Sequence, residues 1–267
     1  MLVWLVGLAF SGCEKVIDID LSDSKPVIVI EATINNGKDP FIVLVSKTSS
    51  YFGAASDSSQ VSGAKVSLRI ENGKAKYFKE TSPGVYKLEK TQVYSNNWYI
   101  VDVEYDGITY SARSYLPPPV PIVDVSISYF DGLGFFDSGY KINTFIRDPF
   151  DQTNYYRLKL YVDGLVVNTE GDSDLYSDKL FDGKTIGLIQ HSSIVFSKTD
   201  NVLVELQSID QSAYNYFSTL ANITGVDLIQ SASPANPISN FSNGALGYFS
   251  AYSFDRKLIS ISNYIQE

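Results

Sequence analysis

Trp98-Tyr99-Ile100-Val101-Asp102-Val103-Glu104-Tyr105-Asp106-Gly107-Ile108-Thr109-Tyr110-Ser111-Ala112-Arg113-Ser114 is the stretch whose reading decides the fold. Two runs rich in aromatic and β-branched residues flank Asp106-Gly107. That dipeptide suits a two-residue hairpin turn, in which both central residues need φ > 0. Strands are therefore expected over 98–105 and 108–114. Upstream, Gly63-Ala64-Lys65-Val66-Ser67-Leu68-Arg69-Ile70 places Ala64, Val66, Leu68 and Ile70 on one face of a strand, and Glu71-Asn72-Gly73-Lys74 turns out of it. Further strands are expected over 27–33 and 41–46, joined as a hairpin through the turn-forming 35–40, and over 75–78 and 84–88. The serine-rich 48–62 reads as a long surface loop carrying Tyr51-Phe52. Seven or so short strands in about ninety residues indicate a β-sandwich over 26–116.

Composition agrees. Aromatics make up 13%, with 19 Tyr and 15 Phe, residues that suit a pleated, half-buried surface. Lys plus Arg total 21 against 30 Asp plus Glu, a net charge of −9. With no basic block, the chain is a poor partner for nucleic acid or an anionic lipid surface. A single cysteine, Cys13, excludes an intrachain disulfide, so the fold must rest on its core.

Leu116-Pro117-Pro118-Pro119-Val120-Pro121 is the clearest boundary. Prolines fix φ and remove donors, so 117–121 reads as a stiff connector to a second β-module over 122–267. There Val123, Val125, Ile127 and Tyr129 alternate over 122–130, and strands are expected over 140–147, 154–162, 165–169, 185–190, 193–197 and 201–207. The acidic 170–184 reads as irregular, and 225–240 as a loop. Ser208 with Gln211 forms a capping box for one short helix near 209–221, with Ala213, Tyr214, Phe217, Leu220 and Ala221 on one face. The stretch from Phe241 onward enters a closing strand pair that ends near Ile261.

The apolar run Leu2 to Phe10 is followed by Ser11-Gly12-Cys13. It falls short of the ~18 residues needed to cross a bilayer and reads as a signal peptide over 1–12. Two small residues before a cysteine are the layout of a lipoprotein signal, in which Cys13 is lipidated and becomes N-terminal. Phe10 stands where leucine is usual, and no Lys or Arg precedes the apolar run, which fits a start lying upstream. The alternative is an ordinary cleaved signal with an incidental cysteine. Residues 14–25 read either as a short edge strand, with Ile17, Ile19 and Leu21 alternating with Asp18 and Asp20, or as an extended tether.

Candidate chemistry is sparse. His191 is the only histidine, and no Gly-x-Ser-x-Gly elbow accompanies it, so it reads as a structural residue rather than a general base. One histidine and one cysteine also leave no basis for a zinc site. Asp172, Asp174, Asp178 and Asp182 offer oxygen ligands but fail the EF-hand spacing, with Tyr176 at the third ligand position and Ser177 at the glycine position; a solvated acidic loop is the favoured reading. The glycine-rich 131–139 loop groups Phe130, Phe135, Phe136 and Tyr140 as a candidate partner or ligand surface, and Tyr94, Trp98 and Tyr99 form a second aromatic group. No cofactor is called for.

Two resemblances sharpen this reading. Gly63 to Leu68, Pro83-Gly84-Val85-Tyr86-Lys87-Leu88 and Tyr99 to Val103 together resemble the prealbumin-like sandwich of carboxypeptidase regulatory-like domains, which are non-catalytic. Cys13 to Leu21, the Gly63 and Tyr86 region, Asn154-Tyr155-Tyr156-Arg157-Leu158, Pro237-Ile238-Ser239-Asn240 and Gly244-Ala245-Leu246-Gly247-Tyr248-Phe249 follow in the order of a Bacteroidota lipoprotein family, domain of unknown function forty-two forty-nine. That resemblance implies an outer-membrane lipoprotein, often encoded beside TonB-dependent receptors. The acidic residues after Cys13 resemble a surface-export signal and favour the outward face. The expectation is an all-β chain of two β-sandwich-like modules in tandem, with residues 13–25 as lipidated cysteine and tether and one short helix in the C-terminal module. It would be a non-catalytic accessory component of a TonB-dependent transporter. The rival is a structural or adhesive envelope lipoprotein that binds glycan or peptide.

Overall fold

The computed structural model describes residues 26–48, 59–89, 91–134, 136–168, 174–190, 194–224 and 236–265. Cys13, the tether, Tyr51-Phe52, Phe135, Asp172 and His191 lie outside the described residues. The first half contains β1 (Ile28–Asn35), β2 (Phe41–Lys47), β3 (Lys65–Ile70), β4 (Lys76–Tyr77), β5 (Lys79–Ser82), β6 (Val85–Leu88), β7 (Asn97–Tyr105) and β8 (Ile108–Leu116). The second contains β9 (Ile122–Phe130), β10 (Gly139–Arg147), β11 (Tyr155–Val162), β12 (Leu165–Val166), β13 (Leu175–Ser177), β14 (Thr185–Ile189), β15 (Asn201–Ile209), α1 (Gln211–Thr224) and β16 (Leu246–Ser260). Among the described residues the chain is all-β with one α-helix, as its sequence leads one to expect. Among the described residues no helix is long and apolar enough to cross a membrane.

The β7–β8 hairpin closes as its sequence requires. Asp106 and Gly107 take φ of 51° and 74°, and Tyr105 pairs with Ile108. Asp163-Gly164 repeats the device between β11 and β12, with φ of 51° and 80°.

Elsewhere the structure departs from expectation. The 193–197 strand reduces, among the described residues, to one bridge between Tyr140 and Phe196, and the acidic 170–184 segment contains β13. The alternation expected in β9 fails: Val125 is buried but Val123 and Tyr129 are exposed. A bulge opposite Phe145/Ile146 slips the register there and turns Val123 out of the core. The expected closing pair is one fifteen-residue strand, β16, which continues through Gly247 and Asp255 without a turn.

That strand organises the sheets. A nine-stranded sheet runs β12-β11-β15-β16-β1-β2-β6-β5, with β13 added on β11. Residues Leu246 to Tyr252 of β16 run parallel to β1, and Ser253 to Ser260 run antiparallel to β15. A four-stranded sheet, β4-β3-β7-β8, packs on it to form a first core around Ile30, Phe41, Val43, Val66, Val101, Phe249 and Ala251. A three-stranded sheet, β14-β10-β9, forms a second core with Ile142, Ile146, Leu158, Leu188, Val204 and Ile259. Phe249, Ala251 and Ile259 are odd-numbered residues of one strand, so both small sheets cover the same face of the long one. The even-numbered Tyr248 and Tyr252 face the other way, against α1.

Gly247 is the tight point of this arrangement. It is buried, has φ of 92°, and a Cβ built on it would lie 2.0 Å from the Ile30 carbonyl oxygen. No L-side chain fits there without displacing β1. Gly247→Ala is therefore expected to destabilise the protein by on the order of 3 kcal/mol, from left-handed strain together with the backbone clash. Urea unfolding checks this, and an unchanged midpoint would show that β1 and β16 are not held at this distance.

Candidate functional site

The site begins where β15 gives way to α1. β15 runs through Ile209, so Ser208 belongs to the strand, paired with Tyr156, and cannot cap the helix. Asp210 is the cap instead. Its Oδ1 accepts the Ala213 N–H and the Ser212 hydroxyl, both at 2.9 Å. Its Oδ2 accepts the Ser114 hydroxyl and the Tyr115 N–H of β8, both at 2.9 Å. The Ser114 oxygen in turn accepts the Ala251 N–H of β16 at 2.9 Å. One buried carboxylate thus ties the helix, the edge of the four-stranded sheet and the long strand together. The helix buries Ala213, Phe217 and Ala221 as expected, with Tyr216 added, while Tyr214 and Leu220 are half-buried. The Arg157 guanidinium stacks 3.7 Å from the centre of the Phe217 ring.

Two adjoining cavities flank this joint and share Trp98, Asp210 and Gln211 as a common wall. The first, about 730 Å³, lies between the outward face of β7–β8 and the start of α1, bordered by Glu71, Arg113, Ser212, Asn215 and Asn240. The second, about 570 Å³, lies over the proline connector and is bordered by Tyr115, Pro117, Pro118, Gln152, Tyr155 and Lys179. Trp98 is the ridge between them. The Arg113 guanidinium lies 3.9 Å from its ring centre, and the Tyr115 ring packs at 5.3 Å and 54°. Arg113 also pairs with Glu71 at 3.5 Å. Asn240 borders the first cavity while its amide bonds the backbone of Phe249 at both N–H and C=O.

The aromatic residues singled out in the sequence divide between two places. Tyr94 and Tyr99 bond each other through the Tyr94 backbone and the Tyr99 hydroxyl, with Tyr99 buried. Trp98 points to the opposite face of β7 because successive strand residues alternate. In the β9–β10 loop, Phe136 is 57% exposed, and Tyr129 and Leu133 are exposed near it in sequence. Phe130 is half-buried with the Lys141 ammonium 5.1 Å from its ring centre, and Tyr140 is half-buried edge-on to Tyr129 at 5.1 Å. Arg113 and Tyr115 were not singled out in the sequence. Their signal was present, because the Asp106-Gly107 turn fixes Trp98 opposite Tyr115 and Ile100 opposite Arg113. Asp210, Asn215 and Asn240 carried no comparable local signal.

The described part of the acidic segment, 174–184, is not simply a solvated loop. Asp174 is buried and bonded by the Asn168 amide at 2.9 Å. Asp178 is only 3% exposed and gathers with Asp148 and Asp182, their carboxylate oxygens within 4.8 Å of one another. Such oxygens suit a hard cation, but three carboxylates are about half of the roughly six to eight oxygens that calcium takes. They are also used in the fold. Asp148 accepts the Tyr156 hydroxyl and the Gly183 N–H, Asp178 accepts the Asn154 N–H, and Asp182 accepts the Asp151 N–H. Burial raises the Asp178 pKa above its ordinary 3.8, opposed by the Asn154 N–H and reinforced by the charges of Asp148 and Asp182.

These features define an all-β protein with a side-chain-lined groove at the joint of its sheets. The family model described as domain of unknown function (DUF4249) matches residues 14–257, and the chain belongs to that family. No curated protein matches it.

The raised Asp178 pKa has a consequence for stability. A carboxyl held above its unfolded pKa binds its proton more tightly in the native state. Its contribution is present below 3.8 and is lost as pH rises through the folded value. Asp178→Asn keeps an oxygen for the Asn154 N–H and removes the charge. The variant is expected to be more stable than the natural protein at neutral pH, with the gap closing in acid. Denaturation midpoints across pH test this, and a gap independent of pH would refute it.

Proposed function

We propose that this chain is a lipid-anchored outer-membrane protein and a non-catalytic binding component that works beside a TonB-dependent transporter. The observation that carries the reading is Cys13, which follows a nine-residue apolar run and two small residues. Acyl chains on that cysteine contribute ~0.8 kcal/mol per buried CH2, and two or more hold a protein stably where one does not. An acidic body with a net charge of −9 gains nothing from an anionic lipid surface, so the anchor has to supply the attachment. The groove at Trp98 gives the body a place to hold cargo, and the exposed Phe136 and Leu133 of the β9–β10 loop give it a surface for a protein partner. The acidic residues after Cys13 favour the surface-facing leaflet.

Two measurements test this. Cys13→Ala is expected to move the protein from the membrane fraction to the soluble one with its thermal unfolding unchanged; an unaltered membrane fraction would remove the anchor. A mild-detergent pull-down of the tagged natural chain is expected to bring down a TonB-dependent receptor in stoichiometric amount. Recovery of this protein alone, under conditions that preserve known transporter complexes, would defeat the accessory role and leave a structural or adhesive one.

A further inference from the structure

We infer that the groove divided by Trp98 is a binding site for a neutral oligosaccharide. This names the ligand class for the binding role proposed above and needs neither the anchor nor the transporter. A sugar ring has a face of polarised C–H groups and a rim of hydroxyls, each both donor and acceptor. The groove offers the complement of each. Trp98 and Tyr115 supply aromatic surface whose negative faces attract such C–H groups; Arg113 covers one face of Trp98 and presents its own planar guanidinium there. Gln211 and Asn215 project from the first turns of α1 along one side, giving amide groups that both donate and accept, beside Ser212, whose hydroxyl donates to Asp210. Two cavities meeting at one ridge suit a chain of several rings, one on each side of Trp98.

Other occupants fit less well. A peptide added as a strand needs free backbone groups on the bordering edge. The outward edge of β8 is already used: Ser111 is bonded by Ser242 at both N–H and C=O, the Thr109 carbonyl accepts the Asn243 amide, and the Tyr115 N–H goes to Asp210. A polyanion meets Asp210 and Glu71 in the walls, which offset the charges of Arg113 and Lys179, and the Arg113 guanidinium is already paired with Glu71 at 3.5 Å. Recognition must therefore come through side chains and stacking, without a net charge to neutralise.

The groove carries its own reporter, since Trp98 is the only tryptophan after Cys13. The natural chain purified from membranes in detergent would be titrated with maltohexaose, cellohexaose, xylohexaose and mannohexaose, and with a tryptic peptide digest and heparin as non-neutral probes, Trp98→Ala separating Trp98 emission from that of any retained Trp4. Tryptophan emission and calorimetry would be read together. At least one neutral hexasaccharide is expected to bind and alter Trp98 emission. Trp98→Ala is expected to weaken that binding tenfold or more by calorimetry. Asn215→Ala, on the exposed side of a helix where alanine is well tolerated, is expected to weaken it several-fold with unfolding unchanged. Binding by none of the neutral sugars, binding by peptide or heparin alone, or sugar binding that survives Trp98→Ala would each overturn the assignment.

Discussion

The fold hangs on a stagger. β16 pairs with β1 along its first half and with β15 along its second, on opposite edges. Each half therefore leaves backbone groups facing a side where no strand runs, and a buried N–H without a partner costs about 1–3 kcal/mol. The protein fills those positions with side chains. Ser114 accepts from the Ala251 N–H, Asn240 bonds Phe249 on both sides, and Asn36 accepts from the Phe254 N–H. Asp210 anchors the most buried of these patches, orienting Ser114 while capping α1. A helix could begin almost anywhere after β15; it begins at Gln211 because one carboxylate serves both ends of the joint.

The groove follows from the same constraint. Where a sheet edge is closed by side chains rather than by another strand, the surface stays concave and polar. The outward face of β3, β7 and β8 carries the Arg69–Asp102 pair at 3.3 Å and the Arg113–Glu71 pair at 3.5 Å, both partly exposed. Pairs of this kind are worth about 0–1 kcal/mol each, so they do little for stability. Their effect is geometric: Glu71 holds Arg113 against Trp98, and a stacked, paired guanidinium loses less freedom when a ligand arrives.

How much of this was legible follows from how far apart the partners lie in sequence. The β7–β8 hairpin and the Asp163-Gly164 turn could be read because two adjacent residues fix them. Trp98 opposite Tyr115 follows by counting from Asp106-Gly107. The bulge that turns Val123 outward left no mark in a sequence that alternates without a break. The acidic segment misled because charge suggests solvent, whereas Asp148, Asp178 and Asp182 are used as caps for two facing loops. The parallel pairing of β1 with β16 joins residues more than two hundred positions apart, and only the required glycine at 247 hints at it. Asp210 falls inside the helix expected near 209–221, with Ser208 as the expected cap. Its second pair of hydrogen bonds reaches back to β8, and no local pattern encodes that.

The sharing of β16 also bears on motion. A proline connector between two sandwiches suggests modules joined only by a stiff spacer. Here Phe249 and Ala251 lie in one core and Ile259 and Ile261 in the other, so hinging at residues 117–121 would have to bend β16 in mid-strand and break the bonds of Asp210 to Ser114 and Tyr115 and of Phe254 to Asn36. The two halves are therefore expected to move as one body, and the groove between β7–β8 and α1 keeps its shape without a ligand. A preformed site spends little binding free energy on ordering itself. That suits a protein whose task is to hold a cargo rather than to close upon it.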